Sequence, residues 1–524
     1  MLKNIKYMQI SPLGKVYAFI HLIQGAKLMY DNEVNLNPIE DHQFDSRTDS
    51  ALFSFDKNKG LEIVLSNKKV FESKLNEAKR HRKDKNYEMA SRWAFEAGRF
   101  AILNHPGCFT SPELEELLLE CGSHLPGVRI ALKIPESTVK RRVFHIMSEG
   151  YQVGGHTRVV RNWIEKDKDS IHYLINTWQI KSTPKWLIDA VGKSGGICIP
   201  LETVSKSFLA RAAALREIVQ QYADVVVCHI HMYDPIPIMA LTFFGGPSVI
   251  FLNHADHLFW MGSSIADIVF DLRPEAQKLS LKRRNIKNSY ILPLPLNTSQ
   301  NTISKELARK ELGLPEEALV LLSIANGAKY DSFSRYHFVD LLIKILQKNC
   351  NATAIIVGPP DEGIWHQAYI DSNGRIKAVG TQNEIEKYYC CADIYLDSYP
   401  FCSVTSALDA GLRGLPAAAL KNYNNELLSF DDVSMDGLGI KFTEIDAYID
   451  YIGRLMNDKD FRNEEGNILL SNIKMHHVDL WKNYLDKGYE LIKNTRHFVR
   501  LPDLNDKFEI EDLCLALFLK QNRK

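Results

Sequence analysis

Short apolar runs alternate with helical patterns through more than half of this 524-residue chain. Runs such as 143–147, 171–176 and 225–229 are rich in Val, Ile and Leu, and each is followed by a helix-start signal. The same rhythm restarts at 319–324 and continues to 417–420. Strands that alternate with helices form parallel sheets covered by helices on both faces. The sequence therefore predicts an α/β protein with two tandem Rossmann-like domains.

The organisation of the chain is predicted from where this rhythm starts, breaks and ends. A chain of this length exceeds what one hydrophobic core usually supports. The Pro-containing runs LPLPLN and LGLPEE mark the break between the two sheets. We predict an N-terminal mixed β and helical extension over 1–135, a first Rossmann-like domain over 136–300, a second over 301–446, and C-terminal helices over 447–524 that pack back on the core.

The predicted extension combines a small β region with helices. Apolar alternations at 15–21 and 61–65 indicate short strands. Apolar residues at helical spacing follow over 73–103, and a further helix begins near Pro112. This helix pair resembles a tetratricopeptide-like unit, although one copy is not an array. We expect the helical region 73–123 to pack against the α/β core, with docking of a protein partner as the alternative.

Charge and cysteine content narrow the class of protein. Lys plus Arg equals Asp plus Glu at 64 each, so no overall field draws the chain to nucleic acid or to an anionic membrane. The nine cysteines show neither paired metal spacings nor a small-domain disulfide pattern, which is typical of reduced thiols. The N-terminal residues lack the apolar core of a signal peptide, and no apolar run is long enough to span a membrane. We therefore expect a cytoplasmic protein with no integral membrane segment and no nucleic-acid partner.

The stretch 392–419 carries the strongest functional signal. An apolar strand runs into a turn rich in Pro, Ser and Thr, and the turn opens a helix. The first turn of such a helix has unpaired N–H groups and the positive end of the helix dipole. This pattern favours a phosphate site at the start of the helix. Asp409, further along the helix, could accept hydrogen bonds from ribose hydroxyls. An ordinary helix-capping turn has the same sequence pattern and is the alternative. The hydroxyls that can add donors are those of Ser403, Thr405 and Ser406.

The segment resembles the nucleotide-sugar site of glycosyltransferases of the GT-B fold, in particular the O-linked N-acetylglucosamine transferase family and its bacterial protein-glycosylating relatives. In that family an Asp-containing strand precedes a turn ending His-Thr-Thr and a ribose-binding Asp. The chain departs from this pattern at Val404, which occupies the His position. The retaining class of this fold places a Glu at the position of Phe401, so the resemblance implies an inverting enzyme. The family spacing is reproduced by Asp397, Thr405, Ser406 and Asp409.

The resemblance also implies roles for three loops. Lys329 follows the first strand of the second domain, where this fold often places a cation for the diphosphate, although a lone loop lysine usually faces solvent. Another strand is followed by Gly380 and Thr381, at the position whose backbone edge meets the base in the family. In related enzymes a Gly-rich turn after the first strand borders the donor phosphate and sugar. Here that turn is GGHTR, with Gly155, His156 and Arg158.

Two histidine clusters follow further strands of the first domain. One is His229 with His231, and the other is His254, Asp256 and His257. A His beside an Asp can act as an oriented general base, so we expect the base in the second cluster, with His156 nearer the donor. A metal site is an alternative for these imidazoles and carboxylates. The resemblance implies instead that protein cations and helix dipoles neutralise the diphosphate, and histidines such as His229 could simply satisfy buried polar groups.

The function implied is transfer of a sugar from a nucleotide diphosphate donor, most simply a UDP-sugar, to a protein or glycan acceptor. The resemblance implies an inverting reaction with no metal or other cofactor. A nucleotide-sugar 2-epimerase shares the fold and needs no acceptor, so it is one alternative. A non-catalytic nucleotide-sugar-binding partner protein is the other.

Overall fold

The computed structural model describes residues 55–130, 132, 134, 140–152, 155–179, 182–298, 303–331, 337–421, 426–503 and 508–521. These residues belong to one compact unit over Asp49–Lys524. The predicted strand at 15–21, the predicted boundary at 135 and Gly154 lie outside the described residues.

The first sheet has seven parallel strands in the order β3-β2-β1-β4-β5-β6-β7. Its strand order reverses between β1 and β4, the place where ligands collect in sheets of this kind. Strands β4, β5 and β6 are buried along their whole length because helices cover both faces. The strands are β1 Arg141–Met147, β2 Ser170–Asn176, β3 Cys198–Pro200, β4 Val225–His229, β5 Ser248–Asn253, β6 Ile268–Asp271 and β7 Ser289–Ile291.

The second sheet has six parallel strands in the order β10-β9-β8-β11-β12-β13. The order repeats that of the first sheet, with the reversal between β8 and β11. Two parallel sheets in tandem confirm the predicted α/β fold class. The strands are β8 Leu319–Ile324, β9 Ala352–Val357, β10 Ile376–Ala378, β11 Ile394–Leu396, β12 Ala417–Leu420 and β13 Lys441–Phe442.

The α-helices connect the strands and extend the chain at both ends. They are α1 Lys57–Lys83, α2 Tyr87–Leu103, α3 Pro112–Ser123, α4 Gly155–Lys166, α5 Lys185–Ser194, α6 Phe208–Tyr222, α7 Pro235–Ala240, α8 Pro274–Arg283, α9 Lys305–Glu311, α10 Phe338–Leu346, α11 Ile364–Asp371, α12 Glu386–Cys391, α13 Val404–Gly411, α14 Ile445–Asn457, α15 Lys459–Ile473, α16 Trp481–Ile492 and α17 Ile510–Gln521.

The strand predicted at 61–65 is wrong, because these residues form part of helix α1. The alternation of apolar residues in this segment is typical of a strand, but here it occurs within a helix. Ile63 and Val64 in this stretch and Gly60 just before it are buried, a spacing that places them on one face of a helix. That face packs against α17, where Leu513 closely approaches Gly60.

Helices α2 and α3 pack on the first sheet's domain. The fully buried Glu115 of α3 accepts hydrogen bonds from the main-chain N–H groups of Gly262, Ser263 and Ser264. Glu88 of α2 likewise accepts hydrogen bonds from the main-chain N–H groups of Phe208 and Leu209 at the N-terminus of helix α6. These charge-assisted hydrogen bonds join the extension to the α/β core.

The C-terminal helices return to the first domain. The Trp481 indole donates to the Pro293 carbonyl over 2.6 Å, and its ring meets Trp163 edge-on at a centroid distance of 5.9 Å. The Tyr489 hydroxyl donates to Asp167 over 3.1 Å. Across the described ranges, no helix combines the length and the apolar character needed to cross a bilayer.

Candidate active site

The two sheets face each other through the loops that follow their carboxyl ends. Arg273, which follows β6, donates to the carbonyls of Leu427 and Ser429 in the second domain. The His257 ring, from the loop after β5, meets the ring of Phe401, from the loop after β11, at a centroid distance of 4.8 Å. These contacts define an interdomain cleft bordered by the carboxyl ends of both sheets, where ligands bind in this class of fold.

Helix α13 begins directly after the turn that follows β11. Ser403 precedes its first residue, is buried, and donates its main-chain N–H to Asp397 over 2.8 Å. The Ser403 hydroxyl lies 3.1 Å from that of Ser406. The Thr405 side chain is exposed in the first turn. Asp397 thus fixes the start of the helix, and of the three predicted hydroxyls the exposed one is that of Thr405.

Asp397 is buried beneath this turn. Burial raises the pKa of its carboxyl to about 7, although the Ser403 N–H and the Lys329 ammonium favour the ionised form. The carboxyl therefore changes charge near neutral pH. It lies at the positive end of helix α13, where a diphosphate is predicted to bind.

Asp409 lies one turn into helix α13 and is partly exposed. Burial raises the pKa of its carboxyl, while Arg413 and Arg158 stabilise the charged form. Arg413 is itself held by Glu386 at 2.5 Å and by the Asp409 carbonyl at 2.7 Å. Arg158 is an exposed residue of helix α4 in the first domain, and it lies near enough to Asp409 across the cleft to stabilise the charge of that carboxylate.

Lys329 lies in the short turn Gly327–Tyr330 that follows β8. Its ammonium donates to the Cys402 carbonyl over 2.8 Å and lies 4.7 Å from the centroid of the Phe401 ring. The side chain is partly buried. Lys329 is therefore held against the turn that precedes helix α13, and its charge faces the same region as the helix N-terminus.

Asp256 and His257 form an oriented pair with Arg273. Asp256 accepts from Arg273 Nε at 2.6 Å and from His257 Nδ1 at 3.1 Å. Although burial opposes ionisation, Arg273 and His257 hold the pKa of Asp256 well below its usual range. Burial lowers the pKa of His257, against the effect of Asp256. His257 is therefore a neutral imidazole whose Nδ1 carries the proton, which leaves Nε2 as a base.

Asp256 was predicted among the candidate bases, but this geometry gives it a positioning role. Both of its oxygens already accept hydrogen bonds from cationic or N–H donors. Arg273 was not predicted at all. A single Arg before Pro274 carries no local signal in the sequence, because its partners at Leu427 and Ser429 lie in the other domain.

His254 and His156 stack on each other, with ring centroids 4.1 Å apart. Burial lowers the pKa of His254 to about 4 and holds that of His156 well below its usual value. His156 Nε2 donates to the His229 carbonyl over 3.0 Å. The GGHTR turn and the HADH cluster thus meet in space, and the predicted division of roles between them stays a prediction.

A chain of three buried histidines runs behind this pair. His229 Nε2 lies 2.9 Å from His145 Nδ1, and His145 Nε2 lies 2.9 Å from His172 Nδ1. His172 Nε2 lies 3.0 Å from the Asp167 carbonyl, which can only accept, so each ring carries its proton on Nε2. In the register of the sheet, His172 pairs with Val143 and His229 pairs with Met147. Side chains alternate along a strand, so residues 143, 145 and 147 point to one face, and the rings of His145, His172 and His229 therefore share that face.

His229 is the first ring of this histidine chain, and one of its nitrogens keeps a lone pair that accepts no hydrogen bond from the described residues. His229 Nδ1 is buried and has no hydrogen-bond partner among the residues that the structure describes. Burial holds the pKa of His145 and of His229 well below the ordinary value, so both rings are neutral. His229 was predicted to satisfy a buried polar group, and it does so toward His145. The described residues contain no group of three or more His, Cys, Asp or Glu side chains arranged to hold a metal ion.

The remaining predicted residues lie at the rim of the cleft. Gly155 is the exposed first residue of helix α4. Gly380 has a φ of +67°, donates to the Pro359 carbonyl and accepts from the Gly358 N–H, both at 2.9 Å. Thr381 follows it and is exposed. These two residues lie past β10, at the edge of the second sheet and two strands from β8, so a ligand contacting them must extend across β9.

Comparison with known proteins identifies the fold. No protein-family model matches the chain, and no curated protein matches it. A glycosyltransferase structure from Rickettsia africae is 14% identical, with a TM-score of 0.50, over 68% of this chain and 100% of that one. An O-GlcNAc transferase mutant from Thermobaculum terrenum is 13% identical over 77% of each chain, with a TM-score of 0.48. Anabaena HepE in complex with UDP and glucose is 10% identical over 67% of this chain and 99% of that one, with a TM-score of 0.48. At 14% sequence identity, the similarity to the Rickettsia africae structure shows the fold alone, and that fold is GT-B.

Proposed function

We propose that this chain transfers a sugar from a UDP-linked donor to an acceptor hydroxyl with inversion at the anomeric carbon. The observation that carries the proposal is the convergence of His257 and Lys329 on the ring of Phe401. An oriented neutral imidazole from the first domain and a fixed ammonium from the second thus border one cleft. Inverting glycosyl transfer needs a base for the acceptor and a cation for the departing diphosphate.

The donor is placed by the second domain. The diphosphate lies at the N-terminus of helix α13, where Thr405 and Ser406 offer hydroxyls and Lys329 offers positive charge. Asp409 accepts from the ribose hydroxyls, and Arg158 reaches the same place from the first domain. No metal or other cofactor is part of this proposal, because protein cations and the helix dipole supply the positive charge.

In the proposed reaction, His257 Nε2 takes the proton of the acceptor hydroxyl as the oxygen attacks the anomeric carbon. The bond from that carbon to the diphosphate oxygen breaks, and its electron pair leaves with UDP. Lys329 stabilises the charge that grows on the leaving group. Asp256 stabilises the imidazolium that forms on His257, and Arg273 keeps Asp256 in place.

The proposed setting is the cytoplasm, with a protein or a glycan as acceptor. All nine cysteines are free thiols in the structure, in keeping with a reducing compartment. The helical region 73–123 packs on the core through Glu88 and Glu115, which favours a supporting role for it over partner docking.

The test is to measure UDP binding by calorimetry and then to incubate the protein with a panel of UDP-sugars, with and without cell extract. Transfer of label to an extract component, with the opposite anomeric configuration by NMR, supports the proposal. A C2 epimer formed without extract would identify a 2-epimerase. UDP-sugar binding with neither reaction would identify a non-catalytic binding protein, and no UDP binding would overturn the assignment of the cleft.

A further inference from the structure

Exposed apolar side chains gather at the edge of the first sheet that lies opposite the cleft. Phe244 is 75% exposed, more than any other large apolar side chain among the described residues. Its ring lies 5.8 Å from that of Phe498, which is 47% exposed. Leu501, 48% exposed, lines a groove of about 100 Å³ together with Phe498. Large apolar side chains that are exposed together, unlike single ones, mark a site of interaction.

These side chains lie at the amino ends of three neighbouring strands. Phe244 lies four residues before β5, and Lys287, which lines the same groove, lies two residues before β7. Asp267, a third residue close to these, directly precedes β6. The histidine loop of the candidate active site follows the carboxyl end of β5, so the length of this strand, roughly 17 Å, separates the two edges. The exposed apolar group is therefore a second surface, separate from the cleft.

The main chain beneath this surface is fixed by hydrogen bonds. Gly245 donates its N–H to the His497 carbonyl over 3.0 Å, which joins the loop of Phe244 to the segment of Phe498. The Phe498 N–H donates to the buried Asp267 carboxylate over 2.9 Å. Both rings are thus presented by segments that are already ordered, so little conformational entropy is lost when a partner binds them.

Three cations accompany the two rings. Lys287, Arg496 and Arg500 all line the groove and are exposed. The Arg500 guanidinium lies 5.0 Å from the centroid of the Phe498 ring. Asp267 is the one acidic residue among the described lining residues, and it is buried with its oxygens already accepting hydrogen bonds. The surface therefore combines exposed aromatic rings with local positive charge, in a chain that has no net charge.

This combination selects among possible partners. Two copies of the chain that met through this surface would bring like charges together, which opposes self-association. The core of a protein interface is depleted in charged residues, and in Lys especially. A membrane surface with anionic lipids suits both parts, because its phosphates attract Lys and Arg while apolar side chains enter the boundary between headgroups and acyl chains.

We propose that this surface docks the chain reversibly on an anionic lipid membrane. The proposal does not depend on the proposed function. Because the surface and the cleft lie at opposite edges of the first sheet, docking leaves the cleft open and UDP binding unchanged. The docking surface consists of Phe244, Lys287, Arg496, Phe498, Arg500 and Leu501.

The test is sedimentation of the full chain with vesicles of equal parts phosphatidylglycerol and phosphatidylcholine, and with vesicles of phosphatidylcholine alone. Phe244→Ser removes the most exposed ring, and Arg496→Gln removes one charge. Tyr369→Ser is the control for the ring, since Tyr369 is an exposed residue of helix α11 in the second domain. Lys348→Gln, an exposed change in the same domain, is the control for the charge. Thermal unfolding and UDP affinity are measured on every variant.

The wild type is expected to sediment with the anionic vesicles, and to bind much more weakly to phosphatidylcholine alone or at high salt. Phe244→Ser should weaken binding by about tenfold or more and Arg496→Gln by about fivefold, as the transfer of one ring and one charge predicts. The two controls should bind as wild type does.

No binding of wild type to the anionic vesicles, or equal binding by wild type and Phe244→Ser, overturns the proposal. A dimer of the wild type that Phe244→Ser dissociates, seen by light scattering without vesicle binding, would assign the surface to a second copy instead. If UDP fails to bind while vesicle binding holds, the docking surface stands and the proposed function fails.

Discussion

Arg273 Nε donates a hydrogen bond of 2.6 Å to the carboxylate of Asp256. The two other guanidinium nitrogens donate to the carbonyls of Leu427 and Ser429 in the second domain. One buried side chain thus orients the predicted base and also joins the two sheets. The proposed chemistry of the cleft and the contact between the domains therefore involve the same guanidinium.

Arg273→Met leaves the Asp256 carboxylate buried without its cation. We expect unfolding free energy to fall by about 3–5 kcal/mol, as for other broken buried ion pairs. Urea unfolding measures the loss. Adding Asp256→Asn should recover part of it, because the uncompensated charge is then gone. Equal stability of wild type and Arg273→Met would show that the ion pair is not what holds this interface.

His257→Asn removes the proposed base. Turnover should fall by about two to four orders of magnitude, as for other general bases, while UDP affinity is unchanged. Labelled sugar transfer and calorimetry give the two readouts. His254→Asn is the matched comparison, since both residues lie in one loop. If His257→Asn keeps wild-type turnover and His156→Ala abolishes it, the base belongs to the stacked His156–His254 pair.

Asp409→Ala removes a carboxylate that is proposed to accept from ribose hydroxyls. UDP binding should weaken by roughly 1.5–3 kcal/mol, the usual value for hydrogen bonds to a charged group. Thr405→Val tests the anion site separately, and its effect should appear with UDP and vanish with uridine. Calorimetric UDP affinity that is the same for wild type and a folded Asp409→Ala variant would count against the ribose role.

Lys329→Met removes the charge proposed to stabilise the leaving diphosphate. Turnover should fall more than stability does, because negative charge grows on the diphosphate in the transition state. Lys329→Arg keeps the charge with a different geometry, so we expect partial recovery. Comparison of turnover with thermal unfolding separates the two effects. Full turnover by the Met variant would assign Lys329 to packing against Phe401 only.

Asp397→Asn tests the buried carboxyl beneath helix α13. The pKa of Asp397 is raised from 3.8 to about 7 in the folded chain, so the folded state binds the proton more tightly than the unfolded state does. Its contribution to stability is present at low pH and is lost as the pH rises through about 7, with a slope of up to about 1.4 kcal/mol per pH unit. The Asn side chain does not titrate, so the variant should not lose this part of its stability as the pH rises.

Urea unfolding from about pH 4 to pH 8 of wild type and Asp397→Asn should therefore diverge as the pH rises. The Asn side chain keeps an oxygen that can accept from the Ser403 N–H, so the start of the helix is preserved. Asp189→Asn, an exposed change, should run parallel to wild type. Parallel curves for all three proteins would show that Asp397 does not titrate in this range.

The fold was largely predictable because most of its strands are continuous apolar runs. β1 and β8 are long and buried, and their sequence patterns stand out. The strands that were missed are β3, β7 and β13, of two or three residues each. Runs this short carry no periodicity, and they form only because a neighbouring strand offers hydrogen-bond partners.

The candidate site was predictable only where it is local in sequence. The strand, turn and helix from β11 to α13 lie within one short stretch, so Ser403 and Asp409 could be placed from spacing alone. Arg273 and Ser429 are 156 residues apart, and His145 and His229 are 84 apart. Contacts of this range are made by the topology of the sheets, and a single sequence does not display them.

The histidine chain His229–His145–His172 has an electrical direction. Each N–H points from His229 toward the Asp167 carbonyl, so the small dipoles of the three rings add instead of cancelling. The negative end is the open lone pair of His229, beside His156. No ring can change tautomer alone without opposing its neighbour, so the three rings behave as one dipole, fixed in the buried interior of the first domain.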